Sequence, residues 1–390
     1  MNRLEYLLAT AALRVLRVVC LLLPIRTDRV VLASARGARL EGNFAHLLAA
    51  IRARRPDLEV VLLLEPYGYG IGAKVRYFMR LLRGMVLLQT TGLVIVDNAY
   101  LPVHVAPHRR GTTVVQVWHA AGALKRFGVD AVHPLAEPER TFLHRHYDFA
   151  VNSGEAGRVA WAAAFRLPVE RVLPLGTPRT DVFHDPVAMA EARRRVLAAH
   201  PELDGRTVVV YAPTFRGRGR GKRPAAGLDA VALRAALPAD HALVLKTHPN
   251  LDVTGASVAG YDVVIDPASE MNELLAATDV LITDYSSSIF EWALLRRPLV
   301  LLTGDLATYE ADPGLYLDYR TDMIGTQVPD TAGVIEAVLG DRFDIAAYEP
   351  FIARHLGACD GHASARFVDR FLGGRAVAGS ATSDQPPAER

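Results

Sequence analysis

Residues 278–301, TDVLITDYSSSIFEWALLRRPLVL, carry the strongest indication of fold in this chain. Residues 280–283 predict a buried strand, and the acid Asp284 stands at its carboxyl end. The three serines at 286–288 are typical of a helix start, where backbone N–H groups lack partners. Because open α/β sheets bind ligands at this edge, the segment predicts a phosphate site. An ordinary capped helix is the alternative interpretation.

Length and composition limit the classes of function. The chain has 390 residues, 51% of them hydrophobic, with a net charge of +2, which fits two globular domains and argues against a general nucleic-acid binder. Its two cysteines, Cys20 and Cys359, lie far apart and match no metal or redox spacing. This cysteine content favours a reducing compartment.

Strand-like apolar runs alternate with helical patterns along the chain, which predicts an α/β fold with parallel sheets. Pro174, Gly176 and Pro178 indicate a linker between two similar halves that face a cleft. The expected strands are 29–34, 58–64, 92–97, 113–118 and 147–151 in the first half, and 207–212, 242–247, 262–265, 279–283 and 298–302 in the second.

Residues 1–24 predict an amphipathic helix. Each arginine near a bilayer centre costs about 2.5–3.5 kcal/mol, so Arg14 and Arg17 argue against a membrane span. With Arg3 they fall on one side of a helix, and we expect the helix to lie in the membrane interface with its arginines toward lipid headgroups. A helix docked on the protein's own core is the alternative.

Further boundaries follow from composition. We predict a first α/β domain over 25–175, a second over 176–372, and a disordered tail over 373–390, which has too few apolar residues to pack. The basic segment 74–83 resembles a second membrane-facing surface, and the glycine-rich segment 216–223 could fold over a polyphosphate. Ordinary solvated surfaces are the alternatives for both.

Two histidines follow strands at equivalent places in the two halves. His119 lies in VVQVWHAAGALKRFG, ahead of Lys125 and Arg126, and His248 follows Lys246 in LVLKTHPN. Although a single histidine at a strand end is more often structural, an equivalent pair across one cleft favours a catalytic role.

Hydroxyls and cationic side chains near strand ends and at the linker predict phosphate recognition. No P-loop, GxGxxG or GxSxG motif follows a strand, which disfavours ATPases, dinucleotide enzymes and serine hydrolases. The thirteen histidines show no HExxH-like spacing, so we predict no metal site. The phosphate-binding candidates are Thr177, Arg179, Thr214, Arg216, Lys246, Asp284, Ser286, Ser287 and Ser288.

These segments together resemble the CDP-glycerol glycerophosphotransferase family, the polymerases and primases of bacterial teichoic acid synthesis. The resemblance covers residues 29–372 and includes VVLASARGARLEGN, WHAAGALKRFG, GTPRTD, APTFRG, KTHPN and DYSSSIFEWALLRRP. The closing segment CDGHASARFVDRF is similar to the family's Asp-Gly and Ser-x-Arg element at Asp360, Gly361, Ser364 and Arg366.

The resemblance implies a GT-B-like fold of two Rossmann-like domains with parallel sheets facing a central cleft. It places the acceptor side in 25–175 and the donor site in 176–372. The implied donor is a CDP-polyol, with CDP-glycerol favoured and CDP-ribitol the other candidate, CMP as leaving product and no cofactor. The implied acceptor is a lipid-linked or polymeric polyol phosphate, handled at the cytoplasmic face of the bacterial membrane by a peripheral or monotopic protein that contacts its anionic surface.

Two departures from the family pattern stand out. The family typically has Trp-His-Gly followed by Thr-Pro, whereas this chain has WHAAG at 118–122, so the loop carrying His119 is expected to differ in shape. Glu291 replaces the aspartate that usually follows the serines, which is a conservative change.

The resulting hypothesis is an in-line attack of an acceptor hydroxyl on the β-phosphorus of the donor. His119 is the expected general base, His248 and the phosphate-binding residues would neutralise the diphosphate, and Lys125 and Arg126 belong to the acceptor side. No cluster of potential metal ligands in the sequence implies a metal requirement, although added Mg²⁺ could assist the reaction at the diphosphate. The alternatives are a GT-B glycosyltransferase that uses a nucleotide sugar and a non-catalytic membrane-bound nucleotide- or lipid-binding module.

Overall fold

The structure is a computed structural model in which two six-stranded parallel sheets are covered by helices. It describes residues 3–35, 37–64, 70–131, 143–217, 225, 227–247, 258–340 and 343–373. His248, most of the glycine-rich segment 216–223, and the tail predicted from 373 onward, apart from its first residue, lie outside the described residues.

The first sheet is formed by the N-terminal half. Its strands are β1 (Arg26–Ser34), β2 (Glu59–Leu64), β3 (Thr91–Val96), β4 (Thr113–Gln116), β5 (Phe149–Val151) and β6 (Val172–Leu173), in the order β2-β1-β3-β4-β5-β6. Its helices are α1 (Arg3–Cys20), α2 (Gly42–Arg54), α3 (Ile71–Thr90), α4 (Leu101–Val105) and α5 (Arg158–Phe165). The central strand β3 is buried along its whole length, as expected for a parallel strand covered on both faces.

The second sheet repeats this architecture. Its strands are β7 (Thr207–Ala212), β8 (His241–Lys246), β9 (Val263–Ile265), β10 (Val280–Thr283), β11 (Leu299–Leu302) and β12 (Thr326–Val328), in the order β12-β11-β10-β7-β8-β9. The helices of this half are α6 (Pro186–Ala199), α7 (Ala230–Ala236), α8 (Met271–Ala277), α9 (Ser288–Leu295), α10 (Leu306–Ala311), α11 (Tyr319–Asp322), α12 (Thr331–Leu339) and α13 (Tyr348–His355).

The last helix, α14 (Ala363–Leu372), returns to the first sheet. Phe367 and Leu372 are fully buried and belong to the same core cluster as Val30 and Leu32 of β1. The C-terminal end of the described chain therefore packs on the N-terminal sheet and closes one of its faces.

All ten predicted strands are present, with ends shifted by up to three residues. The sequence analysis missed β6 and β12. The first has only two residues, and the second, TQV, has a single buried side chain, so neither produces a long apolar run.

Helix α1 is docked on the protein along one face. Leu13 is fully buried in the hydrophobic core of the N-terminal domain, and Glu5 pairs with Lys74 of α3 at 2.7 Å. The docked-helix alternative is therefore correct for this face. Among the described helices, none combines the length and apolar content needed to cross a bilayer.

The two arginines of α1 contact the protein as well. The Nε group of Arg14 donates to the carbonyl oxygen of Val105 at 3.1 Å, and that of Arg17 donates to the carbonyl oxygen of Pro107 at 2.7 Å. Both guanidinium groups are thus anchored at the edge of the fold instead of extending freely from it.

Candidate active site

His119 lies immediately beyond β4, at the carboxyl edge of the first sheet. Its Nδ1 is 3.2 Å from the carbonyl oxygen of Asp97, which can only accept a hydrogen bond. This contact places the proton on Nδ1 and the basic lone pair on Nε2. The ring of Trp118 lies 4.1 Å from the imidazole, between centroids, so the side chain has a fixed orientation.

A buried polar network supports the turn that carries His119. Gln116 accepts a hydrogen bond from the backbone N–H of Trp118 at 2.8 Å and donates to the hydroxyl of Tyr147 at 3.0 Å. Trp118 has a φ of 52°, a left-handed conformation that is costly for a bulky residue. The Gln116 side chain therefore helps to hold a strained backbone next to the candidate base.

Two further histidines complete this network. The Tyr147 hydroxyl lies 2.9 Å from Nε2 of His104 and 3.0 Å from Nδ1 of His144. Burial lowers the pKa of His104 well below its usual range and that of His144 to about 3, so both rings are neutral. The sequence analysis missed these residues. The glutamine within an otherwise apolar strand, VVQV, was the available signal.

Asn43 of α2 connects this turn to the linker between the halves. Its side-chain amide donates to the carbonyl oxygens of Val117 and Trp118 at 3.2 and 3.0 Å, and its oxygen accepts from the backbone N–H of Arg179 at 3.1 Å. Asn43, Trp118, His119 and Arg179 line one common cleft. The structure thus brings together two of the predicted site residues, the base and a phosphate-binding arginine.

The guanidinium group of Arg179 is paired with Glu291 of α9. Glu291 is fully buried, and a buried carboxylate requires a positive partner. Neither Oε2 of Glu291 nor Nε of Arg179 has a hydrogen-bond partner among the described residues. The pair links the cleft to the helix that follows Asp284, and the sequence analysis did not foresee it.

A second group of predicted residues meets at the carboxyl edge of the second sheet. The Asp284 carboxylate accepts from the backbone N–H of Thr214 at 2.9 Å and from its hydroxyl at 3.0 Å. Arg216 pairs with Asp284 at 2.9 Å and with Asp305 at 2.6 Å. Asp284 thus orients the loop after β7, and Arg216 bridges two carboxylates.

The loop that follows His119 reaches this second group. The backbone N–H of Arg126 donates to the carbonyl oxygen of Gly314 at 3.0 Å, and the Lys125 ammonium lies 5.3 Å from the centre of the Tyr309 ring. The pKa of Lys125 is lowered to about 8, because burial outweighs the raising effect of Asp284, and Arg216 adds a smaller lowering effect. The structure therefore places Lys125 beside the predicted donor-side residues.

The serine turn begins α9 in a way that differs in detail from the prediction. Ser288 is the first helical residue, and Ser287 precedes it without making a side-chain cap. The hydroxyl of Ser286 accepts from the backbone N–H of Ser288 at 3.2 Å and lies 2.8 Å from its hydroxyl. All three side chains are half-buried.

Two other candidates are engaged within the protein. The Lys246 ammonium donates to the carbonyl oxygens of Asp266, Pro267 and Ser269 at 2.7, 3.0 and 2.8 Å, which uses its three donors. Thr177 is buried in the linker. No cluster of three or more potential metal ligands occurs in the part of the chain that the structure describes.

Residues of two motifs that support the family resemblance join the linker to α14. The Asp181 carboxylate accepts from the backbone N–H groups of Ala363 and Ser364 at 2.9 and 2.8 Å, at the positive end of the helix. Arg366 donates through Nε to the carbonyl oxygen of Leu175 at 3.0 Å. In this structure, these side chains hold the last helix in place.

Comparison with solved structures defines the class of protein. The chain superimposes on the Wall Teichoic Acid Polymerase TagF with a TM-score of 0.72 and 19% identity, covering 95% of this chain and 98% of that one. This similarity and the two parallel sheets establish a GT-B-like, two-domain fold.

Sequence comparison gives the family. The CDP-Glycerol:Poly(glycerophosphate) glycerophosphotransferase family model matches residues 15–373, and the chain belongs to this family of phosphotransferases. It is 32% identical to the teichoic acid ribitol-phosphate primase of Bacillus spizizenii, covering 89% of this chain and 92% of the primase. It is 30% identical to the teichoic acid poly(ribitol-phosphate) polymerase of the same organism, covering 90% of this chain but only 57% of the polymerase.

Proposed function

We propose that this protein transfers a polyol phosphate from a CDP-activated donor to a hydroxyl of a lipid-linked or polymeric acceptor, releasing CMP. The process would be the synthesis of a teichoic acid-like or capsular glycopolymer. The observation that carries the proposal is the position of His119. Its Nδ1 contacts the Asp97 carbonyl, and its ring shares a cleft with Arg179.

The proposed step is an in-line substitution at the β-phosphorus of the donor. The acceptor oxygen forms a bond to this phosphorus while the bond to the bridging oxygen breaks, and the electron pair leaves with CMP. The hydroxyl proton passes to Nε2 of His119, since imidazole titrates near neutral pH. The serine turn before α9, together with Arg179 and Lys125, would offset the charge that develops on the diphosphate.

The transferred polyol has two candidates, glycerol and ribitol. The family description names glycerol, which the sequence analysis favoured, whereas both relatives reported above are ribitol-phosphate enzymes. We therefore treat CDP-glycerol and CDP-ribitol as competing donors. The close match in length to the primase makes a primase-type acceptor the first one to test.

The test is a donor panel of CDP-glycerol, CDP-ribitol and UDP-sugars with lipid-linked acceptors, with released nucleotide and product masses as readouts. We expect CMP release from one CDP-polyol. His119→Ala should lower kcat by about 10²–10⁴-fold, the usual worth of a general base. His200→Ala, which removes a histidine paired with Glu202 at the end of α6, is the matched control. UDP release alone, or wild-type turnover by His119→Ala, would contradict the proposal.

We also propose peripheral attachment to the cytoplasmic face of the membrane through the outer face of α1. Leu4, Leu8 and Val15 on this face are 65, 62 and 68% exposed, an arrangement typical of interfacial helices. Because Leu13 is part of the core, removing the whole helix would also damage the fold. Replacing Leu4 and Leu8 with serine is the sharper test, with exposed Leu339 of α12 replaced as the control. Unchanged vesicle co-sedimentation of the double variant would contradict this attachment.

A further inference from the structure

The loop between β9 and α8 connects the second half of the fold to the first. Glu270, at the end of this loop, accepts a hydrogen bond through Oε1 from the backbone N–H of Gly42 at 3.2 Å. Gly42 is the first residue of α2, so the contact joins segments that are 228 positions apart. Because free backbone N–H groups make the start of a helix positive, a carboxylate is a favourable partner there. The loop therefore holds the start of α2 by a charge-assisted hydrogen bond.

The backbone of this loop is fixed by Lys246, at the end of β8. Lys246 is buried, and its ammonium group donates to the carbonyl oxygens of Asp266, Pro267 and Ser269, which lie just ahead of Glu270. These three bonds use every donor of the ammonium group, so none remains for a phosphate. The lysine thus sets the conformation of the loop that presents Glu270.

The start of α2 lies next to both parts of the candidate active site. A Cβ atom placed on Gly42 would lie 4.0 Å from Cδ of Arg179. Asn43, the next residue, donates to the carbonyl oxygen of Trp118 at 3.0 Å, directly ahead of His119. A displacement of the start of α2 would therefore move the backbone that carries the candidate base.

A second contact from the same region reinforces the first. Asn272 of α8 is buried, and its side-chain amide donates to the carbonyl oxygen of Arg179 at 3.1 Å. The backbone N–H of Arg179 in turn donates to Asn43 at 3.1 Å. Glu270 and Asn272 thus bind adjacent parts of one unit, formed by the start of α2 and the linker.

We propose that Glu270 is a positioning residue for the transfer reaction and that Lys246 acts through it. The carboxylate fixes the start of α2 relative to the second half, and Asn43 links α2 to the turn of His119. The inference rests on the proposed function, because it takes His119 as the base. Loss of the Glu270 contact should slow the chemical step more than it weakens donor binding, since Arg179 keeps its contacts with Asn272 and Glu291.

The experiment measures kcat and KM with CDP-glycerol and CDP-ribitol as donors. Glu270→Ala removes the acceptor, whereas Glu270→Gln keeps an amide oxygen that can accept from Gly42. Glu273→Ala is the matched control, since Glu273 lies on α8 and pairs with Arg195 at the surface. We expect Glu270→Ala to lower kcat about tenfold with little change in KM, because a small misplacement of the base is costly. Glu270→Gln and the control should stay within about twofold of the wild type, and thermal unfolding should show that all variants are folded.

Lys246→Met tests whether the lysine acts through Glu270. It should also lower kcat, and the double variant with Glu270→Ala should lose no more than the worse of the two single variants, since both substitutions break one chain of contacts. Hydrogen exchange of segment 37–48 gives a readout that needs no activity. Exchange at the start of α2 should become faster in Glu270→Ala but not in Glu270→Gln. If Lys246→Met does not fold, Glu270→Ala still decides whether the carboxylate positions the base.

Several results would overturn the assignment. Glu270→Ala could keep the wild-type kcat, or Glu270→Gln could lose as much as Glu270→Ala, which would mean that the carboxylate acts on the substrate directly. The two losses could also add in the double variant, which would separate Lys246 from Glu270. If the wild type released no CMP from either donor, the proposed transfer would fail, whereas unchanged hydrogen exchange in Glu270→Ala would refute the contact with α2 itself.

Discussion

The carboxyl edges of the two sheets differ in how their polar groups are engaged. At the first sheet, His119 is positioned by a backbone carbonyl, and the network behind it consists of neutral groups. At the second sheet, Arg216 bridges Asp284 and Asp305, so charged groups are paired with one another. The first edge thus presents the proposed base, while the second uses its charges to shape the loops around the proposed donor site. Substitutions at the two edges should therefore have different consequences.

The largest expected effect on stability is at the second edge. Asp284→Ala removes a carboxylate that is 2% exposed and leaves Arg216 and the Thr214 loop without it. Breaking a buried ion pair costs about 3–5 kcal/mol, and Arg216 keeps Asp305 as a partner, so the free energy of unfolding in urea should fall by about 3 kcal/mol, the lower end of this range. His119→Ala should leave it nearly unchanged. If both variants lost stability equally, the contrast between the edges would be wrong.

A smaller loss of stability is expected in the network that supports the turn carrying His119. Gln116→Leu leaves the backbone N–H of Trp118 without its acceptor, which should cost about 1–3 kcal/mol of stability. Because the strained turn positions His119, kcat should also fall by about tenfold, or ~1.4 kcal/mol, with little change in KM.

Tyr147→Phe serves as the comparison for this variant. It removes the hydroxyl that Gln116 contacts but keeps the bond from Gln116 to Trp118. Its effect on kcat should therefore be smaller than that of Gln116→Leu. Equal losses of kcat in the two variants would mean that Gln116 acts only through general stability.

The smallest expected effect is on the pH dependence of stability, and it concerns Lys125, which lies in the loop between the two edges. Lys125 has a pKa of about 8 in the folded protein, below its usual value of 10.5. Between these pH values the unfolded chain binds a proton that the folded chain has lost, so the free energy of unfolding should rise with pH relative to that of Lys125→Met. Urea titrations below, within and above this window measure the difference. If the free energy of unfolding changed with pH in the same way for the wild type and for Lys125→Met, the Lys125 ammonium would not be buried.

Much of the fold could be predicted because parallel strands produce continuous apolar runs. The position of His119 beyond β4 followed from the same pattern, as did the approach of Thr214 and Arg216 to Asp284. The sequence could not predict which charges would pair. Arg179 and Glu291 lie 112 positions apart, and no spacing rule links them.

The network behind His119 was missed for a similar reason. Tyr147 precedes β5 and meets Gln116 because β4 and β5 are neighbours in the sheet, whereas His104 comes from α4. The single polar side chain within β4 indicated that a partner must exist, but it could not say which one. Predictions from sequence were therefore reliable for the existence of the long apolar strands and poor for contacts between distant segments.

Because α14 returns to the first sheet, the polypeptide passes between the two domains twice. The two passages lie side by side, because Arg366 donates to Leu175 and Asp181 accepts from the start of the helix. A change in the angle between the lobes must bend both passages together, so they act as one pivot. Cutting the chain before residue 363 would remove half of that pivot and uncover Val30 and Leu32.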